Sequence, residues 1–210
     1  MVKSIREQNK EKKQQAILAS ALEVFAQKGY AQAKIINIAR SANVGKGTIY
    51  EYYRSKEDLF FGVFEWYVQD LAGHCIVDAS RLGGNAADRL YTLMDSLFSA
   101  ALKQVDSFAV FFEFWAAAGN PNLRDRFRTS LLSMYDTFRI LIAKLVKEGK
   151  ESGIFNADTD EKAVAAGLVG AMDGMMLQAW MERDFDAHRA ATQFFNIVIQ
   201  GIQSNNNPGE

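Results

Sequence analysis

The sequence predicts an all-α chain, and three observations carry that prediction. Apolar residues recur three and four positions apart over long stretches, which is the helical period. Only two of the 210 residues are proline, and no run rich in Val, Ile or Thr alternates as a strand would. Capping residues and glycines punctuate the pattern at helix-sized intervals. With 49% hydrophobic and 23% charged residues, the composition is that of a globular chain with enough apolar side chains for a core.

The first helix is expected from about Ser4 to Lys28, with Ile17, Leu18, Ala21, Leu22, Val24 and Phe25 as its apolar stripe and Gly29 as its stop. A short amphipathic helix follows over Ile35 to Ala42. After Asn43-Val44-Gly45 comes another, from about Lys46 to Tyr53. Ser55, with an acid three residues on at Asp58, caps a fourth helix through Leu59, Phe60, Val63, Phe64 and Tyr67. The break RLGGN (81–85) precedes helices of about Ala87 to Lys103 and Asp106 to Ala118. Gly119-Asn120-Pro121 restarts the chain, with Asn as cap and Pro at the first helical position, in a helix reaching about Ser152 before Gly153. Asp158 and Glu161 cap the next, about Thr159 to Arg183, and the last runs from about Asp186 to Gln203. Nine helices result, and SNNNPGE is expected as a frayed tail. The expected division is a head over 1–55, a larger helical body over 56–203, and a flexible tail over 204–210.

Charge is divided unevenly along this chain. Eleven of the 24 Lys and Arg residues lie within 1–56, against four of the 25 acids, so the head carries +7 and the remainder −8. A basic head on an acidic body points to a polyanion partner for the head alone, although Lys10 to Lys13 also fit a merely solvated helix face. The polar start MVKSIREQNKEKKQQ does not read as a signal peptide. The apolar run Phe108 to Ala118 is about half the length that a membrane helix needs. A single cysteine, Cys75, excludes a disulfide framework and fits a reducing compartment, so a cytoplasmic location is expected, with no membrane partner.

The stretch NVGKGTIYEYYRSK (43–56) admits two readings, because Gly-Lys-Gly-Thr looks like a phosphate loop. A nucleotide-binding P-loop requires G-x-x-x-x-G-K-[ST] after a buried strand. Here the first glycine position is Arg40, the residue after the lysine is Gly47, and the preceding pattern is helical. All three requirements fail. A helix-turn-helix fits instead: Ile35, Ile38, Ala39 and Ala42 form an inner face, Asn43 tolerates a left-handed turn, and Val44 and Ile49 anchor the second helix. Gly45, Lys46, Gly47 and Thr48 then face outward at its N-terminus, within reach of bases and phosphates. Tyr50 and Tyr52 present hydroxyls at the height of the DNA backbone, and Lys56 stands at the start of the fourth helix, where a phosphate is favoured.

Residues from about Gln15 to Phe64 resemble the DNA-binding domain of the tetracycline-repressor-like (TetR) family of transcriptional regulators. The resemblance is carried by AILASALEVFAQKGY and INIARSANVGKGTIYEYYRSKEDLF. It implies that Lys46, Gly47 and Thr48 face an operator and that Tyr50 and Lys56 hold phosphates. The candidate DNA-binding set is Lys34, Asn37, Gly45, Lys46, Gly47, Thr48, Tyr50, Tyr52 and Lys56. Ala33-Lys34 departs from the family's usual Thr or Ser before the second helix. Asn43 replaces a usual Gly, and Gly45 a usual Ser, which removes one potential base contact.

In that family the body dimerises and holds a small molecule, and this body has residues suited to both. Ala163, Ala166, Gly167, Gly170, Ala171 and Gly174 lie three or four apart and let helices approach closely, while Phe194, Phe195, Val198 and Ile202 make a stripe on the final helix. The resemblance implies a four-helix dimer interface from this pair of helices, with Gly167, Gly170, Gly174, Phe194, Phe195, Val198 and Ile202 in it; this is favoured over an ordinary monomer core because two recognition helices must stand about 34–36 Å apart to read adjacent major grooves. For the ligand, Phe111, Phe114 and Trp115, with Met134, Phe138, Met172, Met176 and Trp180, offer an adaptable apolar lining. Glu113 sits inside the aromatic run, where it is expected to pair with a base such as Arg124 or Arg139 or to meet a cationic or hydroxylated ligand.

Catalysis finds little support. His74 beside Cys75, and His188 alone, supply neither a triad nor a metal set, and no cofactor is expected. The sequence therefore reads as a homodimeric regulator, a repressor, that binds a palindromic double-stranded operator and is released by an apolar or amphipathic small-molecule inducer. The alternative is a DNA-binding structural or partner-regulated factor of the same fold without an inducer.

Overall fold

The computed structural model describes residues 4–81, 83–119 and 124–204, without the side chains of 70–81, 107 and 118. Among them are nine α-helices: α1 (Ile5–Gln32), α2 (Ile35–Ser41), α3 (Lys46–Tyr52), α4 (Lys56–Arg81), α5 (Ala86–Leu102), α6 (Ala109–Gly119), α7 (Arg124–Glu151), α8 (Glu161–Met181) and α9 (Ala187–Ile202). A 3-10 turn, Val105–Ser107, precedes α6, so that helix starts three residues later than its sequence pattern suggests. The chain forms two compact units. One holds residues up to 69 together with 106–128; the other holds 70–105 and the residues from 129 onward. The first unit therefore takes in the start of α4 and all of α6 alongside the helix-turn-helix.

In this first unit the predicted stripe of α1, Ile17 to Phe25, is buried. Gly29, at φ 70° and ψ 159°, breaks the regular helix where the sequence places its stop. On α2, Ile35, Ile38 and Ala39 are buried; on α3, Ile49 is. Asn43 makes the turn between them at φ 52°, the one positive φ outside glycine among the described residues. The Val44 N–H closes that turn onto the Ala39 carbonyl at 2.9 Å. Ser55 caps α4 by accepting from the Asp58 N–H at 3.1 Å. Behind the head lies an aromatic cluster of Phe25, Phe60, Phe64, Phe114 and Phe127, each less than 2% exposed. Phe60 stands 5.0 Å from Phe25 and 4.7 Å from Phe114 by ring centroids, and Phe64 stands 4.8 Å from Phe114. Arg126 closes the cluster, lying 3.6 Å over the Phe61 ring and donating to Asp58 at 2.9 Å.

In the second unit α5 packs on α9; Leu90, Leu93, Met94, Leu97 and Phe98 of the one and Ala191, Phe195 and Ile199 of the other are buried. Phe98 and Phe195 meet edge to face at 6.2 Å. The segment after α7 is pinned to the end of α9: the Asn156 N–H donates to the Ile202 carbonyl, and the Ser204 N–H to the Ile154 carbonyl, both at 2.9 Å. One expectation is corrected here. The cap of α8 is Asp160, accepting from the Lys162 and Ala163 N–H groups, and not Asp158. The Thr159 N–H bonds back to the Asn156 carbonyl, and Lys150 donates to the Thr159 carbonyl at 2.6 Å, so Asp158 lies within a turn and the helix begins after it. The predicted cap at Asn120-Pro121, the side chains of His74 and Cys75, and the tail beyond Ser204 lie outside the described residues.

Candidate functional site

The N-terminus of α3 is bare backbone. Gly45 occupies the cap position with extended geometry (φ −68°, ψ 147°), and no side chain bonds the helix start. Gly45, Lys46 and Gly47 are exposed, and Thr48 is half-buried. A Cβ added at Gly47 would meet nothing within 4 Å, and one at Gly45 would meet only the Thr48 hydroxyl at 3.8 Å. Among the described residues, none thus stands between the two glycines and an incoming surface. Lys46 Nζ hovers 5.8 Å from the Tyr50 ring centre, and Tyr50 is 46% exposed. On α2, Lys34 is an exposed cap residue making no side-chain cap bond, and Asn37 is half-buried with its N–H on the Lys34 carbonyl. The set supplies donors with both phosphate and base-edge capability around two glycines that allow close approach.

Lys56 and Glu113, from the two sequence-derived sets, are engaged inside the unit. Lys56 turns its ammonium onto the carbonyls of Tyr30, Ala31 and Ala33 at 2.8, 3.3 and 3.2 Å, and it lies 4.4 Å over the Tyr30 ring. It thereby serves the orphan carbonyls that the break at Gly29 leaves at the end of α1. Such bonds to a charged group are worth about 1.5–3 kcal/mol each. Glu113 finds its partner in main chain: Oε1 accepts from the Tyr30 N–H at 3.2 Å. The same oxygen lies 3.0 Å from where a Cβ on Gly29 would stand, so α6 is seated against the glycine break of α1. Burial, and after it the bonded Glu57 carboxylate, raises the Tyr30 hydroxyl well above the usual tyrosine range.

The residues expected to hold a ligand fall in both units. Phe111, Glu113, Phe114 and Trp115 belong to α6 in the first; Phe114 is part of the aromatic cluster, and Phe111 meets Tyr67 at 4.9 Å. In the second, Met134, Phe138 and Met176 are buried, Met172 is half-buried, and Trp180 is exposed. Sequence reasoning missed Asp173, although it is the only charged residue between Lys162 and Glu182. Its carboxylate accepts from the Tyr135 hydroxyl at 2.7 Å. Burial raises its carboxyl above the usual range, and the tyrosine bond offsets only part of that. The folded state thus disfavours the carboxylate: stability is fully present below the unfolded pKa and is lost as pH rises through the raised folded value. Asp173→Asn, which keeps an acceptor for Tyr135, is expected to melt higher than wild type near pH 7, with the gain shrinking toward about pH 4. Thermal melts at both pH values check this; a gain independent of pH contradicts it.

The face of α8 carrying Ala163, Ala166, Gly167 and Gly170 is exposed, and a Cβ at Gly167, Gly170 or Gly174 would meet nothing within 4 Å. Only 22% of this helix's apolar stretch is buried, though it alone among the described helices is long and apolar enough to cross a membrane. On α9, Phe195 is fully buried against α5, whereas Phe194, Val198 and Ile202 are half-buried and Ile197 is 66% exposed.

Comparison with known proteins gives consistent matches. The family model described as "Bacterial regulatory proteins, tetR family" matches residues 17–63, and that described as "BetI-type transcriptional repressor, C-terminal" matches 86–198. The transcriptional regulator AcuR of Cereibacter sphaeroides is 28% identical over 190 residues, covering 86% of this chain and 82% of its own. A solved structure of the transcriptional regulator FadR from Bacillus subtilis, in complex with stearoyl-CoA, superposes with a TM-score of 0.74 at 22% identity, over 90% of this chain and 98% of that one. A TetR transcription regulator from Haloarcula marismortui superposes with a TM-score of 0.81 at 19% identity, over 92% and 100% of the two chains.

Proposed function

Since the chain belongs to the tetR family of bacterial regulatory proteins and is a DNA-binding transcriptional regulator, we propose that it acts as a homodimeric repressor whose operator complex is dissolved by an apolar or amphipathic small molecule. The observation that carries the DNA contact is the bare N-terminus of α3, with Lys46 and Thr48 flanking Gly47 and no side chain obstructing the main chain. Lys34, Asn37, Gly45, Tyr50 and Tyr52 complete the contact, while Lys56 acts through the end of α1. The uncovered small-residue face of α8, with the half-buried Phe194, Val198 and Ile202 of α9, supports pairing of two copies, which sets two recognition helices at groove spacing.

The inducer is assigned to the second unit, where Met134, Phe138, Met172 and Met176 accompany the Asp173–Tyr135 pair. An acid kept at a cost among methionines favours a ligand with a donor group on an apolar body. Release is a population shift: a ligand that takes the operator-bound fraction from 99% to 1% must prefer the released conformation about 10⁴-fold. No turnover is assigned to the chain, and a cytoplasmic location is the one we adopt. The test is to select bound fragments from genomic DNA and challenge the complex with amphipathic molecules, stearoyl-CoA among them, since a relative of the same fold is solved with it. Release of the fragment with a change in Trp180 fluorescence is expected; a bound fragment that resists a broad panel of such molecules contradicts ligand control.

A further inference from the structure

The first twelve residues of α1, Ile5 to Ala16, precede Ile17, the first buried position of the helix. That is about three turns, roughly 18 Å, of helix with no apolar core beneath it. The start is nonetheless well defined: Ser4 and Glu7 close a capping box, with bonds of 2.8 and 3.3 Å. Charge on this extension is sorted by face. Arg6, Asn9, Lys10 and Lys13 follow the i, i+3, i+4, i+7 spacing of one face, whereas Glu7 and Glu11 share another. Glu11 lines a separate groove with Gln14, Tyr53 and Glu65.

The basic face borders the end of the recognition helix. The Tyr52 hydroxyl donates to the Lys10 carbonyl at 3.4 Å, and Lys10 Nζ lies 6.0 Å from the Tyr52 ring centre. Arg6, Asn9, Lys10 and Lys13, with Glu51 and Tyr52 of α3, line one open groove of about 780 Å³. Three cations face a single acid there, and among the described residues none of the three is ion-paired.

We propose that this groove is a phosphate clamp, in which the α1 extension grips the duplex backbone beside the bases that α3 reads. The inference rests on the DNA-reading role of α3 and extends that contact to a second element. Charge complementarity selects a polyanion, and continuity with α3 through Tyr52 selects duplex DNA. The clamp adds affinity and no sequence information, because backbone contacts are indifferent to the bases.

The test compares wild type with the triple variant Arg6→Gln, Lys10→Gln, Lys13→Gln, which keeps helix-forming residues at exposed positions. Salt titrations are run on the selected genomic fragment and on a mixed-sequence duplex of equal length, with circular dichroism confirming helix content. Each lost phosphate contact removes about 0.9 units of log–log salt slope, so roughly 3 units per protomer should disappear on both duplexes while discrimination between them persists. Lys12→Gln, on another face of the extension, should leave the slope nearly unchanged. A triple variant with the wild-type slope overturns the clamp and leaves α3 as the reader, and a Lys12→Gln loss as large as a third of the triple variant's overturns it too. Wild type that never discriminates the two duplexes removes the premise, and the clamp with it.

Discussion

Gly47→Glu is expected to abolish sequence-specific DNA binding while leaving the melting temperature unchanged or raised. The stability side follows from the helix. Replacing glycine by a better helix former gains up to about 1 kcal/mol, and an acid in the first turn adds about 0.3–1 kcal/mol through the helix dipole. No neighbour opposes the new side chain, because a Cβ at Gly47 meets nothing within 4 Å. The binding side reverses the sign. The same carboxylate stands where main chain approaches the duplex, so bulk and negative charge both oppose the phosphates. A loss of at least about 100-fold, near 3 kcal/mol, is expected in a fluorescence anisotropy titration. Intact affinity contradicts the placement of α3, and so does a fall in melting temperature large enough to explain the binding loss.

Gly170→Arg is expected to give a folded monomer. Gly170 is exposed on α8, and a Cβ added there meets nothing within 4 Å among the described residues. In a two-fold interface the substitution enters twice, so two cations would separate a pair of helices that need close approach. Light scattering should report the chain mass of 23.5 kDa in place of twice that value. Operator affinity should fall by roughly 100-fold or more, since linked half-site binding is lost. Circular dichroism should remain that of wild type. A dimeric mass retained by this variant contradicts the use of the α8 face.

The head was legible because its signals are local. Asn43 announces a left-handed turn, Gly29 a stop, and Ile38 and Ile49 the buried sides of two short helices; each takes the conformation or burial that its position implies. The sequence pattern places the cap of α8 two residues early, at Asp158, because its side chain is the same acceptor as that of Asp160. Bonds made by Asn156, Lys150 and Thr159 decide between them, and none of those is encoded in a cap pattern. Long-range partners left no trace in the sequence. Lys56 reaches the end of α1 across 23 to 26 residues, and Glu113 reaches Tyr30 across 83. The aromatic run on α6 belongs to a cluster whose other members, Phe60, Phe64 and Phe127, come from two other helices and surround Phe114. Asp173 stands out as a lone charge in α8, but only the fold reveals Tyr135 beside it.

Sequence reading by a dimer through α3 is tested most directly by a hydroxyl-radical footprint of the wild-type protein on the genomic fragment that it selects. Two protected half-sites related by two-fold symmetry are expected, their centres about 34–36 Å apart or a multiple of it, with protection absent for Gly47→Glu. Uniform cleavage along the fragment, or protection that Gly47→Glu preserves, contradicts that assignment.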